Sequence, residues 1–175
     1  SVKSRGLGDV YKRQIMAPIL NQYEGKIKYS SLKLEKSFDF GKWTLDNSII
    51  YQIINQNEDI LNLPKFMSRN TLFFSERIFR NTLAIQTGIN FKIFSKYYAN
   101  EYNPLISDFH IQNQKKIGSF PLFDFFFNAK IRQTKIFIIA EHLNSSFTGN
   151  NFYSTPESVY RDFGVRFGFK WNLFN

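Results

Sequence analysis

The stretch Leu83–Ile93, LAIQTGINFKI, decides the fold class of this chain. Its residues alternate strictly between an apolar set and a set of small or polar residues. A period of two over about 11 residues is typical of a β-strand, and that length lets a tilted strand cross the hydrocarbon core of a membrane. One face carries Leu83, Ile85, Thr87, Ile89, Phe91 and Ile93, and the other carries Ala84, Gln86, Gly88, Asn90 and Lys92.

The end of the chain repeats this pattern. Between Phe163 and Leu173, aromatic and aliphatic residues alternate with charged residues and glycines. Neither a soluble core nor lipid accepts a face that carries Arg166 and Lys170, so we expect that face to line a water-filled lumen.

The same alternation, less regular, recurs along the chain and indicates about seven strands of membrane-spanning length. Short and long connections alternate between them, as in outer-membrane barrels with tight periplasmic turns and long outer loops. The predicted fold is therefore all-β: an antiparallel transmembrane β-barrel segment that forms an open, curved sheet, since seven strands are too few to close. The short connections are Phe40–Lys42, Ile78–Asn81 and Gln133-Thr134, and the long ones are Asn55–Met67, Tyr97–Phe120 and Asn144–Val159.

Composition excludes several classes of protein. Aromatic residues make up 18% of the chain, with 21 Phe, and there is no Cys. The absence of cysteine rules out a disulfide framework and a thiolate metal site. No apolar run approaches the 18 or more residues of a membrane helix, so a helical membrane protein is excluded.

The N-terminus is predicted to lie outside the barrel. Residues 1–14, SVKSRGLGDVYKRQ, have no period and no apolar segment, and they look like translated sequencing-adapter read-through. They contribute +3 to the formal net charge of +9. We expect residues 15–24 to be a remnant of an upstream loop and residues 25–175 to be the C-terminal part of a β-barrel.

Residue parity and connection length give two sets of candidate functional residues. Trp43 and Trp171 fall at strand ends on the periplasmic side, and Tyr97 and Tyr98 at the outer rim, where amphipathic aromatics meet the membrane interface. The predicted lumen residues carry more basic than acidic groups, which favours anions in a pore. An alternative interpretation is that Arg166 and Lys170 pair with neighbouring acids and stabilise the wall. The lumen set is Asn90, Lys92, Asp124, Lys130, Arg132, Glu141, Arg166 and Lys170.

These segments resemble the putative porin family of Bacteroidetes. The similarity is carried by LNLPKFMSRNTLFF (61–74), LAIQTGINFKIFSKYYANEYNP (83–104), FHIQNQKKIGSFPLFDFFFNAKI (109–131) and RDFGVRFGFKWNLFN (161–175). The resemblance implies a bacterial outer-membrane location and passive diffusion of small hydrophilic solutes. Many outer-membrane proteins end on an aromatic residue that the barrel assembly machinery reads, whereas this chain ends Leu173-Phe174-Asn175.

Other functions remain open at this stage. The C-terminal barrel portion of a TonB-dependent transporter shares the strand pattern, and so does a structural barrel without an open pore. An enzyme is not expected, because His142 beside Ser145 and Ser146 gives no defined register of nucleophile and base. The basic residues form no nucleic-acid recognition motif. The expected partners are outer-membrane lipid, the barrel assembly machinery, upstream strands of the same barrel and a second copy of the chain, with no metal or cofactor.

Overall fold

The computed structural model describes residues 25–105, 107–148 and 152–172. Within them, seven long strands form one antiparallel sheet in the order β1-β2-β3-β4-β7-β8-β11. Each strand of this sheet pairs with the next long strand in the chain, as predicted. The seven strands are β1 (Lys28–Phe40), β2 (Trp43–Asn55), β3 (Phe66–Ile78), β4 (Leu83–Phe94), β7 (Leu122–Ile131), β8 (Thr134–Glu141) and β11 (Gly164–Trp171).

The sheet is open. In the described part of the chain, β1 pairs only with β2 and β11 only with β8. This confirms an all-β, seven-stranded, open antiparallel sheet and contradicts both a sealed barrel and a two-sheet sandwich.

Tight turns lie at one end of the sheet, which we call the short-turn end. Gly41 has a φ of +70° between β1 and β2, which a glycine adopts without the steric penalty of a Cβ. Between β3 and β4, the turn residues Phe79, Arg80 and Asn81 also have positive φ angles.

The opposite end, which we call the long-loop end, carries more structure than the sequence pattern predicts. The second long connection contains the hairpin β5 (Glu101–Asn103) and β6 (Asp108–His110). The third contains the helical turn α1 (Ser145–Thr148) and the hairpin β9 (Tyr153–Thr155) and β10 (Ser158–Val159). None of the described helices is long and apolar enough to cross a membrane.

The two faces of the sheet differ in chemistry. Cross-strand register joins Leu72 to Ile89 and Ile89 to Phe125, and these side chains are 36–45% exposed. We call this surface the apolar face, and the opposite surface, which carries Asn90 and Asp124, the polar face. The polar face of the first four strands encloses a groove of about 740 Å³.

One polar row interrupts the apolar face. Lys36 lies opposite Asn47, and Asn47 lies opposite Asn70, so three polar residues cross β1, β2 and β3 in direct register. Asn47 Nδ2 donates to the carbonyl oxygen of Lys36 at 3.4 Å. The alignment of Asn47 with Lys36 and Asn70 depends on strand register, which a single sequence does not provide.

Candidate functional site

The candidate site is the polar face of the sheet, which contains a connected set of charged groups toward its long-loop end. Lys92 Nζ donates to Asp124 Oδ2 at 2.6 Å. The other carboxylate oxygen of Asp124 accepts from the backbone N–H of His142 at 3.0 Å. Asp124 is only 7% exposed, and its two oxygens are satisfied by Lys92 of β4 and by His142, the residue that follows β8. The predicted lumen residues Lys92 and Asp124 are thus brought together as an ion pair. Asn90, which lies opposite Asp124, accepts a hydrogen bond from Thr71 Oγ1 at 2.7 Å.

A second set of charges lies beside it on β8 and β11. Glu141 pairs with Arg166, and its other oxygen accepts from Arg161 Nη1 at 2.9 Å. The positive charge of Arg166 is therefore balanced by a neighbouring acid. The sequence left open whether Arg166 is a free lumen charge or pairs with a neighbouring acid, and in the structure it forms such a pair.

The remaining predicted lumen residues lie at the short-turn end. Lys130 and Lys170 lie on the polar face near the ends of their strands, and both are exposed. Arg132 lies in the turn between β7 and β8 with a φ of +51°, so it is at the end of the wall instead of on it. Register also places Lys135 between Lys130 and Lys170. Lys135 was not among the predicted lumen residues.

Between these charged regions, three apolar side chains, Phe126, Phe137 and Ile139, lie on the polar face of β7 and β8. Phe126 lies opposite Ile139, and Phe137 lies opposite Gly168. A Cβ at Gly168 would lie 2.6 Å from the Phe137 ring, so the absence of a side chain at Gly168 is what allows that ring to approach β11 so closely. The candidate wall therefore carries a small apolar patch on β7 and β8, beside the polar residues Asn128 and Gln86, between the basic short-turn end and the ion pairs.

At the long-loop end two loops fold onto the polar face. Phe120 and Phe152, which come from different loops, lie 4.8 Å apart with their rings edge to face. Both are buried, together with Leu122 of β7. We call this group, with Phe94 and Tyr160, the loop cluster. The long connections were expected to be polar links; their apolar residues instead form the most buried part of the described structure.

The predicted interface aromatics separate into two groups. Trp43 and Trp171 both lie at the short-turn end on the apolar face and are 48% and 61% exposed. Tyr97 instead contacts Phe94 of the loop cluster, with ring centroids 6.0 Å apart. Its burial there raises the pKa of the Tyr97 hydroxyl above its ordinary value, so Tyr97 stays neutral at physiological pH. Tyr98 lies under the Lys116 ammonium group, 4.8 Å from Nζ to the ring centroid.

His142 is fully buried beneath the loop cluster and not at a solvent-exposed rim. Its Nδ1 lies 2.7 Å from the carbonyl oxygen of Arg161, and its ring packs edge-on against Phe152 and Tyr160. Its Nε2 is buried without a hydrogen-bond partner in the described structure, so neither ring nitrogen contacts a serine hydroxyl. Across residues 25–105, 107–148 and 152–172, no group of three or more histidine and acidic residues could hold a metal ion.

Comparison with known proteins identifies a family. The sequence model of a family described as putative porin matches residues 10–175. No curated protein and no solved structure matches the chain. The predicted N-terminal segments 1–14 and 15–24 and the terminal Phe174 lie outside the described residues.

Proposed function

Because the chain belongs to the putative porin family, we propose that it forms part of the wall of an outer-membrane pore for passive diffusion of small hydrophilic solutes. The observation that carries this proposal is the separation of the two faces. A sheet in water does not leave an apolar surface of this extent exposed, whereas lipid requires one. Charged side chains on the opposite face are compatible with a water-filled lumen.

This proposal fixes the orientation of the sheet. Tight turns are periplasmic and long loops are extracellular in barrels of this kind, so the short-turn end faces the periplasm. Trp43 and Trp171 then lie together at the periplasmic interface, where amphipathic aromatics concentrate. The loop cluster lies at the outer mouth and narrows it.

No catalytic role is included in the proposal. Nucleophilic catalysis needs a nucleophile within hydrogen-bond reach of its base. The ring of His142 is closed in by Phe152 and Tyr160 and its Nδ1 is committed to a backbone carbonyl, so it offers no base to a substrate.

Conductance of the purified full-length protein in planar bilayers tests the pore. We expect stepwise ion currents that persist without an energy source, because diffusion through a wall of fixed charges needs none. A protein that inserts and resists unfolding but carries no current would contradict the proposal and favour a structural barrel or a plugged transporter. A current that appears only after deletion of an upstream plug domain would favour a TonB-dependent transporter.

We further propose that a second copy of the chain covers the polar row on the apolar face. A Lys facing lipid near the bilayer midplane costs about 2–4 kcal/mol, so Lys36 with Asn47 and Asn70 is expensive to leave against acyl chains. A neighbouring protein wall offers hydrogen-bond partners instead. Native mass spectrometry in detergent is expected to show more than one copy, with a single copy when Lys36, Asn47 and Asn70 are all changed to Leu. A wild-type protein found only as a single copy would contradict this interface.

A further inference from the structure

Four basic residues form a row across the polar face at the short-turn end. Lys130 lies directly opposite Lys135, and Lys135 lies directly opposite Lys170. On its other side, Lys130 lies opposite Ala84 of β4, and Ala84 lies opposite Arg77 of β3. All four basic side chains are exposed. We call Arg77, Lys130, Lys135 and Lys170 the basic row.

No acidic residue of the described wall neutralises this row. The nearest acids on the polar face of these strands are Asp124 and Glu141, each six residues further along its strand, or roughly 20 Å away. Both are already paired, Asp124 with Lys92 and Glu141 with two arginines. Glu76 is adjacent to Arg77 in the chain but points to the apolar face, where it pairs with Lys42.

The arrangement works against the stability of the sheet. Like charges directly opposite each other on neighbouring strands are destabilising, and here three lysines are aligned on three successive strands. The nearby apolar patch that includes Phe126 and Phe137 lowers the local dielectric constant, which strengthens the field of the row. An unneutralised, aligned set of cations is explained if its counter-charge is supplied by a ligand.

The spacing sets the chemical class of that ligand. Adjacent strands lie about 4.8 Å apart, so Lys130 and Lys170 are roughly 10 Å apart across Lys135. A chloride ion can contact one or two of the ammonium groups, whereas an anion with several charged groups can contact three or four. Hydrogen bonds between ammonium groups and phosphoryl or carboxylate oxygens are among the strong ones.

We propose that the basic row is a binding site for multivalent anions, such as phosphorylated or polycarboxylate solutes, at the periplasmic mouth of the pore. This rests on the proposed function for its place in the pore, but the binding itself does not require a current. Because the row lies on the lumen side of the sheet, the ligand is a dissolved solute and not a lipid headgroup.

The test is equilibrium binding to the full-length protein in neutral detergent at about 0.1 M salt, measured by calorimetry. The probes are pyrophosphate, citrate and inorganic phosphate. We expect pyrophosphate and citrate to bind at least about tenfold more tightly than inorganic phosphate, because only they engage several lysines at once. Equal affinity for all three would overturn the proposal.

Two triple variants separate a site from a general effect of net charge. The first replaces Lys130, Lys135 and Lys170 with Gln, and the second replaces Lys28, Lys65 and Lys96, which lie at the long-loop end, with Gln. Both remove three positive charges, but the second set lies several Debye lengths of about 10 Å from the row. Pyrophosphate affinity should fall about tenfold or more in the first variant and less than about twofold in the second.

Equal weakening in the two variants would contradict a localised site. The first variant removes repulsion, so it is expected to fold, and the single change Lys135→Gln gives a second measurement with minimal disturbance. Retained affinity in both Lys135→Gln and the first triple variant would also overturn the proposal. Binding without conductance would refute the open pore and leave the anion-binding site standing. Conductance without preferential binding of the multivalent anions would refute the site and leave the open pore standing.

Discussion

Placing an arginine at position 89 is expected to lower the free energy of unfolding by about 2–4 kcal/mol, the cost of an Arg facing lipid near the bilayer midplane. Ile89 lies in the middle of β4 on the apolar face, with Leu72 and Phe125 as its cross-strand neighbours. Its side chain is 45% exposed, so the new guanidinium group would enter the lipid without a protein partner. Urea-induced unfolding of Ile89→Arg in lipid vesicles measures this loss.

The matched control is the same change one residue further along the strand. Asn90 points to the polar face, where Asn90→Arg sacrifices the hydrogen bond from Thr71 Oγ1, worth about 1 kcal/mol, and leaves the charge in water. Equal destabilisation by Ile89→Arg and Asn90→Arg would show that the two faces are assigned wrongly or that the protein does not reside in a bilayer.

Truncating Phe120 is expected to detach the folded loops from the wall and to raise the conductance. Phe120 is the centre of the loop cluster, with ring contacts to Phe94 at 5.3 Å and to Phe152 at 4.8 Å. Loss of a buried Phe side chain costs about 3 kcal/mol, and this cluster contains too few buried residues to absorb that loss. Single-channel currents in planar bilayers, together with protease sensitivity of the loops, check both effects.

Phe109→Ala in the same connection provides the control. Phe109 contacts Tyr102 at 5.2 Å in the β5–β6 hairpin, but it is 56% exposed and does not belong to the loop cluster. This variant should conduct like the parent and show unchanged protease sensitivity. An unchanged current in Phe120→Ala would mean that the loop cluster does not limit the outer mouth.

The strands of the wall could be predicted from the sequence because a β-strand produces an alternating pattern among neighbouring residues. The alternation between Leu83 and Ile93 is a property of neighbouring residues, and it fixes which side chains share a face without reference to any other strand. The alternation of short and long connections then implies that each strand pairs with the next, which the structure confirms. Strand bounds agree less well: β3 begins at Phe66, inside the predicted long connection Asn55–Met67.

Contacts between distant segments could not be predicted in this way. The basic row depends on the register of five strands, and a register shift of one residue would turn Lys135 to the other face. The burial of His142 depends on Phe152, which comes from a loop whose sequence shows no period. The pairing of Glu141 with Arg161 likewise joins a strand to a loop. Each of these requires the three-dimensional arrangement of the loops, for which an isolated sequence holds no repeating signal.

The consecutive pairing of the seven strands also bears on how fast the wall assembles and how freely its loops diverge. A sheet in which every strand pairs with its predecessor has a low contact order for a β protein, so hairpins can form one after another.

The free-energy cost of closing a flexible loop grows only logarithmically, by about 0.6 kcal/mol for each doubling of its length. Insertions into the loop between Asn55 and Phe66 should therefore hardly affect assembly. The turn at Gly41 has no such tolerance, because its two residues set the alignment of β1 on β2. Changes of loop length are thus tolerated at the long-loop end of the wall and constrained at the short-turn end.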